Sequence, residues 1–372
     1  MNNNVWIDLN IYNSKKVLVT GHTGFKGSWL SVWLTELGAK VIGYSLEPPT
    51  EPSFFKATNL ENKIIHTIGD VRDEKHLLSV FEKYQPEFVF HLAAQSLVRF
   101  SYEEPKLTYE TNIMGTVNVL EAVRNTESVR ACVIVTSDKC YENKEWIYGY
   151  RENDPMGGYD PYSSSKGCAE LVTAAYRRSF FNSKEYSKIR NAGLASVRAG
   201  NIIGGGDWRE DRLIPDCVSS LSQNKTILIR NPDAIRPWQY VLEALSGYLL
   251  LGSKMYQNGV RFAGAWNFGP PDSDIITVEE IVKKMLSYWG NGDYEVETSP
   301  EKPHEAKLLK LDCSKAHSIL KWHSVYNIDE ALKKTTKWYK KYYNGVRGKE
   351  LYKFTIEQIK EYMKRGDYCV GN

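Results

Sequence analysis

The amino-terminal half of the chain alternates short apolar runs with amphipathic stretches, and no other feature limits its possible folds as strongly. The apolar runs cover residues 16–20, 40–44, 64–66, 88–92 and 131–136, and helical patterns between them cover residues 26–37, 74–84 and 108–124. Strands that are apolar on both sides predict a parallel sheet covered by helices on both faces. The sequence therefore predicts an α/β fold with a doubly wound parallel sheet.

A glycine-rich turn follows the first strand and opens a helix, with the sequence Gly21-His22-Thr23-Gly24-Phe25-Lys26-Gly27. Glycines let the backbone turn tightly and approach a pyrophosphate, whose negative charge the N-terminus of a helix favours. A glycine-rich turn alone is a weak signal. Between strand one and the first helix, however, it lies where a Rossmann fold binds its cofactor. The sequence therefore predicts a dinucleotide site.

The regular alternation ends near Asn201, where prolines and shorter elements begin to interrupt the chain. Helical patterns remain at residues 240–255, 278–289 and 328–343. We expect residues 15–200 to form the Rossmann domain and residues 201–372 a smaller, mixed α/β lobe that binds substrate. Segments at about 240–270 are expected to return to the first domain. The Lys-rich run at 333–341 is interpreted as a solvated helix face.

Composition argues against several classes of partner. The 372 residues carry 48 Lys+Arg and 45 Asp+Glu, a net charge of +3 without the basic excess of a nucleic-acid surface. No apolar run approaches the ~20 residues of a membrane-spanning helix, and residues 1–14 lack the apolar core of a secretory signal. The cysteines form neither a Cys-x-x-Cys pair nor a zinc spacing. We expect no metal, membrane or nucleic-acid partner, and a cytoplasmic protein with reduced thiols.

The spacing Gly-x-x-Gly-x-x-Gly resembles the extended branch of the short-chain dehydrogenase/reductase family, and further marks agree in order. Asp70-Val71 resembles the pair that reads adenine, His91-Leu92-Ala93-Ala94-Gln95 the loop beneath the cofactor, and Asn112-Ile113-Met114-Gly115-Thr116 a stabilising helix. The resemblance implies NAD, held by Gly21, Thr23, Gly24, Phe25, Lys26, Gly27, Asp70, Val71, Leu92, Ala93, Ala94, Gln95, Thr111, Thr136, Tyr162 and Lys166. The carboxylate that normally ends strand two and selects NAD is missing, so NADP stays open.

The family's Tyr-x-x-x-Lys motif places both side chains on one helix face, and it occurs three times here. Tyr12–Lys16 ends in strand one and Tyr102–Lys106 contains a proline, whereas Tyr162–Lys166 follows strand five and opens a long helix. A free tyrosine, with a pKa of about 10, is a poor base at neutral pH. A neighbouring Lys166 ammonium favours the tyrosinate, so we expect Tyr162 to act as the base.

Two ionisable residues, Asp138 and Lys139, follow Ser137 at the end of strand five. Ser137 occupies the family's Ser/Thr position, which bonds the reacting oxygen. Nucleotide-sugar 4,6-dehydratases place an acid and a base at the next two positions, and Ser-Asp-Lys resembles the group that acts on CDP-glucose. The resemblance implies Ser137, Asp138, Lys139, Tyr162 and Lys166 as catalytic residues. The assignment of acid and base within Asp138–Lys139 stays open.

The resemblance extends from about Lys16 to Tyr343 and includes residues 201–208, 230–239 and 304–306. It implies substrate contacts from Ser137, Asn201, Arg230, Asn231, Arg236, Trp238, His304 and Glu305, with Arg236 on the diphosphate. It departs at Tyr240, where histidine is expected near the substrate. The implied product is CDP-4-keto-6-deoxyglucose, a precursor of deoxysugars in O-antigen lipopolysaccharide.

Two other readings stay open at this point. An epimerase of the same family would have no need of Asp138 and Lys139, and a non-catalytic NAD-binding sensor would be expected to have lost Tyr162 or Lys166. By analogy with the family we expect a homo-oligomer, a dimer or a dimer of dimers, joined through helices at about Thr108–Arg124 and Pro161–Phe181.

Overall fold

Seven parallel strands form the central sheet in the computed structural model, which describes residues 5–182, 192–297 and 308–369. In chain order the strands of this part of the protein are β1 (Lys16–Thr20), β2 (Lys40–Ser45), β3 (Ile65–Ile68), β4 (Phe88–His91), β5 (Ala131–Val135), β6 (Gly193–Arg198), β7 (Ile202–Ile203), β8 (Ile227–Ile229), β9 (Ile235–Arg236), β10 (Gln239–Tyr240), β11 (Gly264–Asn267), β12 (Ile276–Thr277) and β13 (Tyr294–Val296).

The α-helices of the same residues are α1 (Phe25–Glu36), α2 (Phe54–Ala57), α3 (Glu74–Tyr84), α4 (Val98–Glu103), α5 (Pro105–Tyr109), α6 (Gly115–Arg124), α7 (Pro161–Ser179), α8 (Leu213–Ser222), α9 (Val241–Asn258), α10 (Val278–Trp289), α11 (Ile328–Tyr343) and α12 (Gly348–Cys369). A π-helical turn, Glu110–Met114, joins α5 to α6.

The sheet order is β11-β6-β5-β4-β1-β2-β3, and each neighbouring pair is parallel. Strand β1 lies inside the sheet, so the chain winds outward in one direction through β2 and β3 and in the other through β4, β5 and β6. This is the doubly wound parallel sheet that the sequence predicts, and the fold class is confirmed.

Successive residues of the central strands enter two separate cores. Val17 and Val19 of β1 pack into one core and Leu18 into the other, and Val133 and Cys132 of β5 divide in the same way. Helices α3, α6 and α7 cover the second face, while α1, α9, α11 and α12 cover the first. Because both faces are covered, the strands are apolar at nearly every position.

The second half of the chain contributes both to the sheet and to a separate wall. Strand β11 pairs with β6 at the edge of the sheet, and α9 packs beside β5 and β6. The short pairs β10–β7, β12–β9 and β13–β8 lie outside the sheet. The division of the chain into domains at residue 200 stays a prediction.

Helix α12 follows the last helix that the sequence analysis identified. It packs on α1 and α11, with the Trp338 indole donating to Thr355 (3.0 Å) and the Gln358 amide donating to the Lys334 carbonyl (3.0 Å). Among the residues described, no helix is both long and apolar enough to cross a bilayer.

Candidate active site

A cleft of about 2800 Å³ opens at the carboxyl ends of the central strands, between the sheet and the wall built by the second half of the chain. All predicted cofactor residues except Lys166 line it, and so do Ser137, Asp138, Lys139, Asn201, Arg230, Asn231, Arg236 and Trp238. His304 and Glu305 lie outside the described residues. One cleft therefore brings together residues that are far apart in the sequence.

The glycine-rich turn forms a cradle that only glycine permits. A Cβ on Gly21, whose φ is +74°, would lie 2.7 Å from the Ala93 nitrogen, and one on Gly27 would lie 2.1 Å from the Gly21 carbonyl oxygen. Helix α1 begins directly after Gly24, which has no side chain to cap the first N–H groups. The open backbone and the positive end of the helix fit the pyrophosphate of a dinucleotide.

Strand β2, beside this cradle, ends at Ser45 and so carries no carboxylate on its last residue, as the sequence indicates. The Thr23 hydroxyl donates to the Leu46 carbonyl (2.9 Å) and is hydrogen-bonded to Ser45 (2.8 Å), and Glu47 is the first acid after the strand to line the cleft. On the adjacent strand end, Asp70 forms an ion pair with Arg72 (2.6 Å), and this hydrogen-bonded pairing lowers the pKa of Asp70.

Ser137, Asp138 and Lys139 begin a single 3-10 turn, Asp138–Cys140, immediately after β5. The Ser137 hydroxyl accepts from the Lys139 backbone N–H (3.2 Å) and donates to Asp138 Oδ1 (2.9 Å). Asp138 is 4% exposed, whereas Lys139 is exposed and lines the cleft. The turn thus holds a buried acid beside a lysine that can reach a bound molecule.

Gly200 leaves the space that Asp138 occupies. A Cβ at position 200 would lie 1.8 Å from Asp138 Oδ2, far inside van der Waals contact. The carboxylate is therefore held between the Ser137 hydroxyl and bare backbone. Sequence reasoning missed this role of Gly200, because its contact with Asp138 spans 62 residues and leaves no local signal.

Tyr162 lies in the first turn of α7, where Asp160 caps the helix by accepting from the Ser163 N–H (2.9 Å). Burial raises the pKa of Tyr162 to about 12, and its hydrogen bond with the Ser137 side chain acts in the opposite direction. Tyr162 thus adjoins the Ser137–Asp138 pair inside the cleft.

Lys166 lies one turn further along α7 and is buried behind the cleft wall, where its ammonium donates to the Val135 carbonyl (3.4 Å). Burial, together with the nearby charge of Lys26, lowers the pKa of Lys166 to about 7. The cation that lowers the pKa of Tyr162 in this structure is Arg212. The effect of Lys166 on Tyr162 stays a prediction, and Arg212, a residue of the second half, adds positive charge near the same hydroxyl.

Arg212 was not identified from the sequence. It pairs with Asp207 (2.8 Å) and donates to the Ser96 hydroxyl (3.2 Å), so it links the second half of the chain to the loop after β4. Lys26 is half-buried near Arg212 and Asp207, and burial lowers the pKa of Lys26 to about 8. The glycine-rich turn therefore has two roles: its backbone forms the pyrophosphate cradle, and its Lys26 places a basic side chain near the catalytic residues.

A buried ion pair supports the catalytic turn from behind. Glu170 accepts from Arg198 (2.7 Å), from the Ser196 hydroxyl (2.7 Å) and from the Thr136 hydroxyl (2.5 Å). Thr136, predicted to contact the cofactor, thus directs its hydroxyl to Glu170. Since Glu170 follows Lys166 by one turn of α7, this pair ties the helix to the strand end that precedes Ser137.

The predicted substrate residues lie at the far wall of the cleft. Arg230 pairs with Asp211 (3.4 Å) and Glu297 (3.5 Å), and the Arg236 guanidinium donates to the Ile235 carbonyl (2.9 Å). Trp238 is 5% exposed and belongs largely to the core, so it offers only an edge to the cleft.

Tyr240, where the sequence departs from its resemblance, is only 1% exposed. Its hydroxyl donates to Gln358 of α12 (3.0 Å) and its ring packs against Trp29. The expectation of an altered substrate contact at this position is wrong, because the side chain points into the interface with the C-terminal helix. In the part of the chain that the structure describes, no group of three or more His, Cys, Asp or Glu could hold a metal ion.

Comparison with known proteins agrees with this geometry. The family model described as GDP-mannose 4,6 dehydratase matches residues 18–335. The CDP-glucose 4,6-dehydratase of Salmonella typhimurium is 53% identical over 357 residues, which cover 96% of this chain and 98% of that protein. The dTDP-glucose 4,6-dehydratase of Haemophilus influenzae is 25% identical, over 87% of this chain and 97% of that protein.

Among solved structures, the dTDP-glucose 4,6-dehydratase of Bacillus anthracis in complex with NAD superposes with a TM-score of 0.71 at 21% identity, covering 91% of this chain and 100% of that chain. At this identity the likeness concerns the fold. The sequence matches carry the family: the chain belongs to the GDP-mannose 4,6-dehydratase family, within the extended short-chain dehydrogenases/reductases that its motifs predicted.

Proposed function

We propose that the protein is an NAD-dependent hydro-lyase that converts CDP-glucose into CDP-4-keto-6-deoxyglucose. The observation that carries the proposal is the meeting of Asp138, Lys139 and Tyr162 in one cleft, next to a cradle that fits a dinucleotide. The substrate is inferred from the relative in Salmonella typhimurium, whose identity of 53% extends over nearly the whole of both chains.

The glycine-rich turn would hold NAD, which would supply the hydride acceptor and donor for carbons 4 and 6 of the sugar. Tyr162 takes the 4-hydroxyl proton, at a position where the nearby charge of Arg212 lowers its pKa. The resulting ketone acidifies carbon 5, from which Lys139 removes a proton. Asp138 gives its proton to the departing 6-hydroxyl, which leaves as water.

The charges and the burial of side chains in the cleft are consistent with these roles of Tyr162, Lys139 and Asp138. Arg212, beside Tyr162, offers positive charge where negative charge develops. Asp138 is buried and Lys139 is exposed to the cleft, so the residue that must reach carbon 5 is the more accessible one. Arg236 and Asn201 are proposed to hold the diphosphate, as both line the same wall.

The test is turnover of CDP-, dTDP-, UDP- and GDP-glucose, with the product identified by NMR and by the absorbance of a 4-keto-6-deoxy sugar in alkali. We expect the chromophore with CDP-glucose. Formation of an epimerised sugar would instead favour the epimerase reading. Absence of turnover with all four sugars would favour a non-catalytic NAD-binding protein.

We also propose a homo-oligomer, a dimer or a dimer of dimers. Tyr109, Met114, Leu171 and Phe180 expose large apolar surface on α5 to α7, on the helices through which extended short-chain enzymes commonly pair. A cytoplasmic location is supported by the free state of Cys132, Cys140, Cys168, Cys217 and Cys313, which suits a reducing compartment. There the product would supply deoxysugars for O-antigen synthesis.

A further inference from the structure

Asp138 gives up one proton in every cycle of the proposed function, on which this inference rests. The 4-hydroxyl proton ends on Tyr162, which must release it to solvent before the next cycle. The carbon-5 proton goes to Lys139, which exchanges it with solvent and returns a proton to carbon 5. The proton on the departing water is therefore the one that Asp138 must regain. Because Asp138 is only 4% exposed, its carboxyl group has little contact with solvent through the cleft, and a second route could supply this proton.

A second, small cavity borders Asp138 outside the cleft. Its volume is about 10 Å³, and its walls include Gly200, Gln239, Asp272 and Lys310. This is close to the smallest space that holds one water molecule. Ser137 already donates to Oδ1 of Asp138, whereas Oδ2 lies against Gly200, which belongs to the cavity wall.

Gln239, on the wall of this cavity, carries an unsatisfied polar atom. Its side chain is 3% exposed, and its amide nitrogen donates to the carbonyls of Phe268 (2.9 Å) and Gly200 (3.4 Å). Its amide oxygen is buried, and no donor in residues 5–182, 192–297 or 308–369 reaches it. A buried amide oxygen without a donor is costly, and a water molecule is the usual remedy.

The cavity also reaches towards solvent. Lys310 and Asp272 form an ion pair on its wall with a distance of 3.2 Å, and the Asp272 side chain is 79% exposed. The exposed carboxylate of Asp272 is in contact with bulk water. Protons can therefore arrive at this wall whether or not the main cleft is filled.

We propose that the small cavity holds one water molecule that passes protons from solvent to Asp138, with Gln239 as the positioning residue that orients it. One hydrogen of the water is held by the Gln239 amide oxygen, and the other points to the carboxylate. Transfer forms an O–H bond on Asp138, while the water oxygen takes a replacement proton from solvent. No bond to carbon changes, and nothing is oxidised or reduced.

Diffraction provides the first test. A crystal structure of the unchanged protein at a resolution that shows ordered water should contain one water molecule within hydrogen-bonding distance of both the Gln239 amide oxygen and Asp138. A dry cavity, or a water molecule that contacts only one of them, overturns the proposal. This result does not depend on which sugar the protein uses.

Kinetics provides the second test, once turnover of CDP-glucose by the unchanged protein is established. Gln239→Met keeps the side-chain length and removes the amide oxygen. The first turnover uses a proton already present on Asp138, so we expect it to keep its rate. Later turnovers should be slower by about tenfold or more, a change easily resolved. Only these later turnovers should slow further in heavy water.

The control is Gln223→Met, an exposed glutamine on the surface beyond α8, which should change neither phase. Equal slowing of first and later turnovers in Gln239→Met would indicate a merely structural role and overturn the proposal. Equal rates in Gln239→Met and the unchanged protein would also overturn it, and would direct attention to Tyr162 and Ser137 as the proton source. Failure of the unchanged protein to turn over CDP-glucose would refute the proposed function instead.

Discussion

Asp138 and Gly200 make a contact that one methyl group would destroy. Since a Cβ at position 200 would lie 1.8 Å from Asp138 Oδ2, Gly200→Ala must displace the carboxylate from its place beside Ser137. A misplaced general acid loses most of its contribution, so we expect product formation to fall by about 100-fold. Steady-state turnover of CDP-glucose measures the loss.

A double substitution separates this effect from general damage. In an Asp138→Ala background the clash partner is absent, so adding Gly200→Ala should cost little more activity. Thermal unfolding of all three variants checks that each is folded. A further large loss in the double variant would show that Gly200 acts through something other than Asp138.

Lys139 is the second residue whose role a single change can isolate. Lys139→Met removes the proposed base at carbon 5 but leaves Tyr162 to take the 4-hydroxyl proton, and a general base typically contributes about 10²–10⁴-fold. We expect sugar deuterated at carbon 5 to lose its label to solvent with the unchanged protein and to keep it with the variant. Label loss at an unchanged rate would assign the base to another residue.

The catalytic residues that sequence reasoning identified share one property: each is next to a partner in the chain or one helical turn away from it. Asp138 and Lys139 are adjacent, and Tyr162 precedes Lys166 by one turn. Gly200 and Arg212 were missed because their partners, Asp138 and Tyr162, are 50 or more positions away. Tyr240 was misjudged for the same reason, since its partner lies on a helix that the sequence analysis did not assign.

At the level of elements, the period of the apolar residues was enough to place the strands and helices of the sheet. It could not show that β11 pairs with β6, because a strand of four residues gives no signal of its partner. The C-terminal helix α12 has an equally clear amphipathic pattern. It lies beyond Tyr343, where the resemblance found in the sequence ends, so the sequence analysis had no guide to its docking site.

The attachment of α12 gives an element-scale prediction. The Tyr362 hydroxyl donates to Glu243 Oε2 (2.7 Å) in a fully buried contact between α12 and α9. Tyr362→Phe leaves this carboxylate with one donor fewer, at a cost of about 1–3 kcal/mol in the free energy of unfolding. Urea denaturation measures it. Tyr148→Phe, at a 68% exposed tyrosine, is the matched control and should cost less than about 0.5 kcal/mol.

For the molecule as a whole, buried titratable groups should set the pH range in which the fold is stable. Burial lowers the pKa of His22 and of His91 to about 3, so both are neutral in the folded protein while they charge in the unfolded chain below about pH 6.5. The unfolded chain then binds more protons. These two residues therefore make stability fall as the pH falls from about 6.5.

Glu243 acts in the opposite direction, because burial raises its pKa to about 7. Between about pH 4.5 and 7 the folded protein holds a proton on Glu243 that the unfolded chain has lost, so this group alone makes stability decrease as the pH rises. Glu243→Gln removes the contribution of Glu243 to the pH dependence of stability and leaves the contributions of His22 and His91 unchanged. The stability of the variant relative to the unchanged protein should therefore increase by about 1.4 kcal/mol for each pH unit across this window. Urea denaturation of both proteins at pH 5, 6 and 7 measures this difference, and a constant difference would mean that Glu243 is ionised in the folded protein throughout.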